Sequence, residues 1–252
     1  MTTRDRDRDR GTLGHGYTVV TPANHYPSRL PEFGHQPVVK LVTPRMAPSR
    51  IGQYLVSLEA GGGTTRRIGA GYERFFYVLD GTVTVHTASS GRWVLRAGGF
   101  AYLPSDMAYE LKAGDDGPAR LLIVKRVYEG HAAHDAPGPL SGHRDDEPFA
   151  QTPVAGFTRR ELLPVDDPAF DFAMSLLRFD AGVGLDKIEV HDEEHGLWMT
   201  EGAGLYVLNG DEHPVQAEDF IYMAPYCPQG FTASGAGPAE YLLYKDTWRD
   251  GF

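Results

Sequence analysis

The chain has 252 residues, enough for one or two domains, and 41% of them are hydrophobic, enough to build a core. Its formal net charge of -10, from 34 acidic and 24 basic residues, disfavours a nucleic-acid partner, which needs a basic face. A single cysteine, Cys227, excludes an intrachain disulfide and a cysteine-built zinc site, and reads as one buried thiol in a reducing compartment.

The N-terminal stretch MTTRDRDRDR alternates charges and lacks the apolar run of a secretory signal, so residues 1–14 read as a disordered tail. No apolar run approaches the ~20 residues that span a bilayer, so a cytoplasmic protein without a membrane partner is expected. Residues 15–50 carry short apolar runs, YTVV and VVKLV, among Pro and His, and read as an N-terminal arm. From Ile51 a strand pattern begins: IGQYLVSLEA, RFFYVLDG, TVTVHTA, RWVLRAGG, FAYLPSDMAYEL, ARLLIVKRVY. Each run is short and ends in Gly, Pro, Asp or Ser, which turn the chain for separate physical reasons. These runs make a first domain over 51–128. Residues 129–153, rich in Gly, Pro, His and Asp, read as a linker. The pattern returns over 154–252 with DFAMSLLRFDAG, IEVHDEEHG, GLYVLNG, HPVQAEDFIYMAP and AEYLLYKD.

The two halves look alike. AGGFAYLP matches AEDFIYMAP, with Phe100 and Phe220, and Tyr102 and Tyr222, each 120 residues apart, while Gly81 and Gly202 are 121 apart. That period is too long for a solenoid unit and suits duplication of a small β-domain. Short antiparallel strands at this turn density predict an all-β chain of sandwiches or barrels, and the jelly roll is one closed solution.

Within IEVHDEEHG, residues 188–196, ionisable side chains crowd together. In an extended chain Glu189, His191, Glu193 and His195 point the same way. Imidazole plus carboxylate is a transition-metal donor set. Spacing alone does not rank these four.

Placed beside the strand pattern, these residues resemble the (S)-ureidoglycine aminohydrolase family, manganese-dependent bicupins of allantoin and purine breakdown. Cupins carry their metal inside the roll, on two His separated by one residue, a Glu a little further on and a later His. Here Glu189 stands in the first His place, His191 in the second, His195 in the Glu place and Gln229, in PYCPQGF, in the last. That Glu-His-His-Gln set is the one the family uses. The resemblance covers both halves and the arm segment HGYTVVTPANHYPSRLPEF. It implies two tandem jelly-roll barrels and one Mn2+ per chain on Glu189, His191, His195 and Gln229. It also implies substrate contacts from Glu189, Tyr206, Tyr241 and Lys245, and a homo-oligomer acting on a small-molecule ureide. The implied reaction converts (S)-ureidoglycine and water to (S)-ureidoglycolate and ammonia. Catalytic roles fall to Glu189, Tyr206 and Lys245, with Glu189 or Tyr206 moving a proton.

In the first half Arg74 stands where His195 does, Tyr109 near the Gln229 position, and Glu73 where Glu194 does, so that barrel reads as metal-free and structural. His131, His134, His143 and Asp145 lie in the linker, where no strand fixes them. On the same fold, an iron dioxygenase or a sugar isomerase more often uses three His, or two His and a carboxylate, and Gln229 argues against both. A bicupin that only binds a small ligand needs no open metal position.

Overall fold

The computed structural model describes residues 10–46, 48–68, 71–88, 90–185 and 187–247. In chain order the first strands, β1 (Thr12–Gly14) and β2 (Tyr17–Val20), form a hairpin. Next come β3 (Val38–Val42), β4 (Gly52–Leu58), β5 (Glu73–Asp80), β6 (Thr82–Thr87) and β7 (Gly91–Arg96). They are followed by β8 (Gly99–Leu103), β9 (Tyr109–Ala113), β10 (Ala119–Arg126) and β11 (Leu140–His143). The second half holds β12 (Ala150–Gln151), β13 (Phe157–Leu163), β14 (Phe172–Phe179), β15 (His195–Glu201) and β16 (Ala203–Leu208). It ends with β17 (Asp211–Gln216), β18 (Phe220–Met223), β19 (Gln229–Ala233) and β20 (Ala239–Asp246). No helix among the described residues is long and apolar enough to cross a membrane.

The chain divides into two compact units, one of Tyr26–Asp146 with Pro168–Phe170, the other of the remaining residues. Each unit has one large and one three-stranded antiparallel sheet. In the first unit these run β11-β8-β5-β10-β4-β3 and β7-β6-β9; in the second, β1-β2-β18-β15-β20-β14-β13-β12 and β17-β16-β19. Alternation turns the apolar residues of both sheets toward one core. In the first unit Val56, Phe76 and Leu121 of the large sheet meet Val83, Val85 and Leu111 of the small one. In the second, Leu197, Ile221 and Tyr241 meet Tyr206, Leu208 and Phe231. Each unit is thus a closed two-sheet roll, and the chain is a bicupin-type all-β protein.

Three boundaries differ from the expectation. Residues 1–9 of the expected tail lie outside the described residues, but residues 10–14 are built into the second unit. There Arg10 pairs with Asp219 and β2 adds to β18. A charge-alternating stretch hides this, because its partner lies some two hundred residues away. The arm over 15–50 is divided, with residues to His25 in the second unit and those from Tyr26 in the first. The linker over 129–153 contains β11, which pairs with β8 from Leu140↔Tyr102 to His143↔Gly99, and β12, which pairs with β13. LSGH has no alternation to announce it; it is a strand because β8 offers an open edge.

The duplication is visible in the backbone. Gly81 and Gly202 both adopt positive φ, 74° and 75°. A Cβ there would lie 2.3 Å from Pro118 O and 2.2 Å from Pro238 O. Tyr102 Oη donates to buried Glu73 at 2.8 Å, and Tyr222 Oη donates to buried Glu194 at 3.1 Å. Gly202→Ala combines a left-handed backbone with a backbone clash. It is expected to destabilise the second roll by at least ~1–2 kcal/mol, read as a lower urea midpoint. An unchanged midpoint would show that the β15–β16 corner relaxes freely.

Candidate functional site

The site is built where the loop before β15 meets the start of β19. Glu189 N donates to Gln229 O at 2.8 Å and Gln229 N donates to Glu189 O at 2.9 Å, a single reciprocal bridge. The bridge leaves Ile188 and Val190 exposed and aims Glu189 inward. His191 O accepts from Tyr226 N at 2.6 Å, and the chain bends at Asp192 and Glu193 before β15 opens on His195. The segment is therefore not one extended strand, which corrects the parity argument across it. His195 reaches the same place from the next strand.

Glu189, His191, His195 and Gln229 line one cavity of about 230 Å³. His191 Nε2 is 3.4 Å from Glu189 Oε2, and Gln229 Nε2 is 3.1 Å from His195 Nδ1. The two imidazole rings cross at 72° with centroids 4.9 Å apart. Glu193, the rival with the same parity, bonds Lys245 Nζ through Oε1 at 2.8 Å. Glu194 is held by Tyr222, and Asp192 faces solvent.

His195 sits in β15 between Met223 of β18 and Lys245 of β20. Burial, then the neighbouring His191 and Lys245, push its imidazole down to about 3, so it is neutral near pH 7. A neutral imidazole is the form a metal ligand requires. Among the described residues no three His, Cys, Asp or Glu side chains stand ready to hold a metal as a group. Glu189, His191 and His195 instead pair with one another and with the Gln229 amide. As a chemical set, one carboxylate, two imidazoles and one amide oxygen fit a divalent first-row cation with mixed oxygen and nitrogen preference.

Deeper in the cavity lie Tyr206 of β16 and Tyr241 of β20, which hydrogen-bond each other and flank Phe231. Burial raises both phenols far above the usual tyrosine range. They stay protonated and act as donors. Lys245 follows Tyr241 and Leu243 on the inward face of β20. The cavity thus gathers all seven residues that the resemblance assigns to the site. It also takes in Arg159 of β13, which sequence reasoning missed. Its one available signal was the parity it shares with Phe157 in FTRREL.

In the first roll the bridge matching Glu189↔Gln229 is Ile68↔Tyr109, and Arg74 pairs with Leu103 as His195 does with Met223. The buried Arg74 guanidinium lies 5.2 Å from the Tyr109 ring centre. The linker residues His143 and Asp145 pair with each other at 3.4 Å, and the rings of His131 and His134 meet edge to face at 4.9 Å.

Two rolls of this topology, with a carboxylate-imidazole-imidazole-amide cluster in the second, define a bicupin. Residues 54–125 match the family described as Cupin domain. The (S)-ureidoglycine aminohydrolase of Arabidopsis thaliana is 34% identical over 96% of this chain and 79% of its own length. The enzyme of that name from Escherichia coli K12 is 30% identical over 96% of this chain and 93% of its own. The crystal structure of the E. coli protein Ylba superposes with a TM-score of 0.86 at 27% identity, covering 100% of both chains. The chain belongs to the (S)-ureidoglycine aminohydrolase family, hydrolases that release ammonia from a carbon–nitrogen bond.

The lowered pKa of His195 has a consequence for stability. Unfolded, the imidazole takes up a proton below its ordinary 6.5; folded, it refuses one until about 3. Metal-stripped protein is therefore expected to lose stability as pH falls through that window, by up to about 2 kcal/mol at about pH 5. Urea midpoints at about pH 7 and about pH 5 measure this. An equal pH slope in His195→Gln would exclude His195 as the titrating group.

Proposed function

We propose that this chain is a cytoplasmic, homo-oligomeric, manganese-dependent enzyme of allantoin catabolism. In this reading it hydrolyses (S)-ureidoglycine to (S)-ureidoglycolate and ammonia. The observation that carries the reading is the meeting of Glu189, His191, His195, Gln229, Tyr206, Tyr241 and Lys245 around one cavity, in a chain of this family. Glu189, His191, His195 and Gln229 would hold the cation. Bound there, manganese supplies a Lewis acid that anchors and polarises the substrate.

The protein's own groups do the rest. Lys245, fixed by Glu193, presents its ammonium to the substrate carboxylate or ureido oxygen. Glu189 takes a proton from water and returns it to the departing amine. The carbon–nitrogen bond breaks, a carbon–oxygen bond forms, and the proton leaves on ammonia. Protonated Tyr206 and Tyr241 donate hydrogen bonds, so Tyr206 is assigned to positioning and donation, with the base role left to Glu189. Leu177, Leu185 and Leu243 line the apolar wall that limits bulk water.

Freshly generated ureidoglycine, followed for ammonia release and product chirality, tests the assignment. Manganese-dependent formation of the single (S) product, abolished by chelator and by His191→Ala, is expected. Racemic product at the uncatalysed rate from manganese-loaded protein would move the function to another substrate. Tyr206→Phe removes one donor and is expected to lower kcat/KM by about tenfold or more with manganese content unchanged. Full activity would take Tyr206 out of the machinery.

A further inference from the structure

We propose that Arg159 is a substrate-binding residue that reads the ureido end of the substrate; this deepens the function just proposed and rests on it. Arg159 pairs with Leu177 of β14, and Leu177 pairs with Tyr241 of β20. These three residues form a row across one sheet, and all three line the cavity that holds Glu189, His191, His195 and Gln229. Adjacent strands are ~4.8 Å apart, which sets Arg159 two strand spacings from Tyr241, on the side of the cavity away from β15. Its partner Leu177 and the nearby Ser175 line the same cavity.

Two features single out this guanidinium. Its Nε is buried and has no hydrogen-bond partner among the described residues, while Nη2 donates to Glu161. A buried N–H without a partner costs free energy, which a ligand acceptor recovers when the side chain turns Nε toward the cavity. Lys245, the other cation lining the cavity, likewise has a carboxylate partner, Glu193 at 2.8 Å, so the unmet Nε is what sets Arg159 apart. Arg159 therefore offers a donor that the described residues leave unmet.

The proposed substrate carries three polar groups on one carbon: an amine, a carboxylate and a ureido group. The amine and carboxylate suit the donor cluster and Lys245 at one end of the cavity. The ureido group is planar and presents a carbonyl acceptor, and a guanidinium is a planar fork of donors. At the opposite end Arg159 recognises that carbonyl, which distinguishes a ureide from a plain amino or hydroxy acid.

Binding to the manganese-loaded enzyme by calorimetry tests this with two probes. (S)-Ureidoglycolate carries the ureido group, and glycolate is the same hydroxy acid without it. Arg159→Gln is expected to weaken ureidoglycolate about tenfold to a hundredfold and to leave glycolate unchanged, with KM for ureidoglycine rising by a similar factor and kcat changing less. Arg159→Lys, which keeps charge and bulk but loses the fork, is expected to show the same selective loss. Glu161→Gln removes the ion pair alone and is expected to bind both probes normally. Unchanged ureidoglycolate binding in both Arg159 variants overturns the assignment, as does equal weakening of both probes or an equal loss in Glu161→Gln. Absence of ammonia release from the wild type overturns the proposed function, and this inference with it; a fully active wild type with any of the former results overturns the inference alone.

Discussion

The site depends on one pair of backbone hydrogen bonds, between Glu189 and Gln229. It is the one ladder pairing of segment 188–194 among the described residues, and Tyr226 N donating to His191 O and Asp246 N donating to Glu194 O hold the rest of the segment. The bridge makes Glu189 a one-residue strand with its side chain inward and its neighbours outward. It joins the first donor directly to the last. The bend that follows carries the chain to β15, where His195 is fixed by partners on both sides. Glu193, at the bend, is then in place to pair with Lys245. The bridge sets Glu189 and Gln229 directly, while the β15 ladder sets His195.

The first roll shows that this scaffold does not create the chemistry by itself. It has the same bridge, the same corner glycine and the same Tyr–Glu hydrogen bond, about 120 residues earlier. Its side chains differ. Ile68 and Arg74 stand for Glu189 and His195, and Val85 and Leu121 take the register places of Tyr206 and Tyr241. Lys125, equivalent to Lys245, lies against the rings of Tyr54 and Tyr72 and pairs with Glu32 at 3.3 Å. Where the second roll gathers Glu189, His191, His195 and Gln229, the first buries a guanidinium over Tyr109. Duplication kept the parts that hold the backbone and released the parts that carry donors.

Much of this was legible before any coordinates. Strand runs punctuated by turn residues, and a 120-residue repeat anchored by Phe100, Phe220, Tyr102 and Tyr222, marked two β-rolls. The donors were legible because Glu189, His191 and His195 are close in sequence, but the choice of Gln229 came from resemblance, since its pairing with Glu189 is non-local. The parts that stayed hidden depend on distant partners. β11 exists only because β8 has a free edge. Residues 10–14 look like tail until Asp219 is brought beside Arg10. Arg159 sits on β13, where the face lining the cavity runs from Phe157 straight to a charged residue. Periodicity marks apolar faces and is silent about a polar residue that belongs inside.

The protonation states around the cavity explain why these residue types occur together. His195 is held neutral by burial, and the Tyr206–Tyr241 pair is held protonated by the same cause. The amide of Gln229 has no proton to lose. Lys245 is matched by Glu193, and Arg159 by Glu161. Glu189 is the one carboxylate among Glu189, His191, His195 and Gln229. For the divalent cation proposed here, a neutral amide would add an oxygen ligand without adding charge. A His in place of Gln229 would raise the number of titratable imidazoles above the two of His191 and His195, and a second carboxylate would change the charge of the set. The amide supplies a donor and changes neither, which is a physical reason for the unusual fourth member of the set.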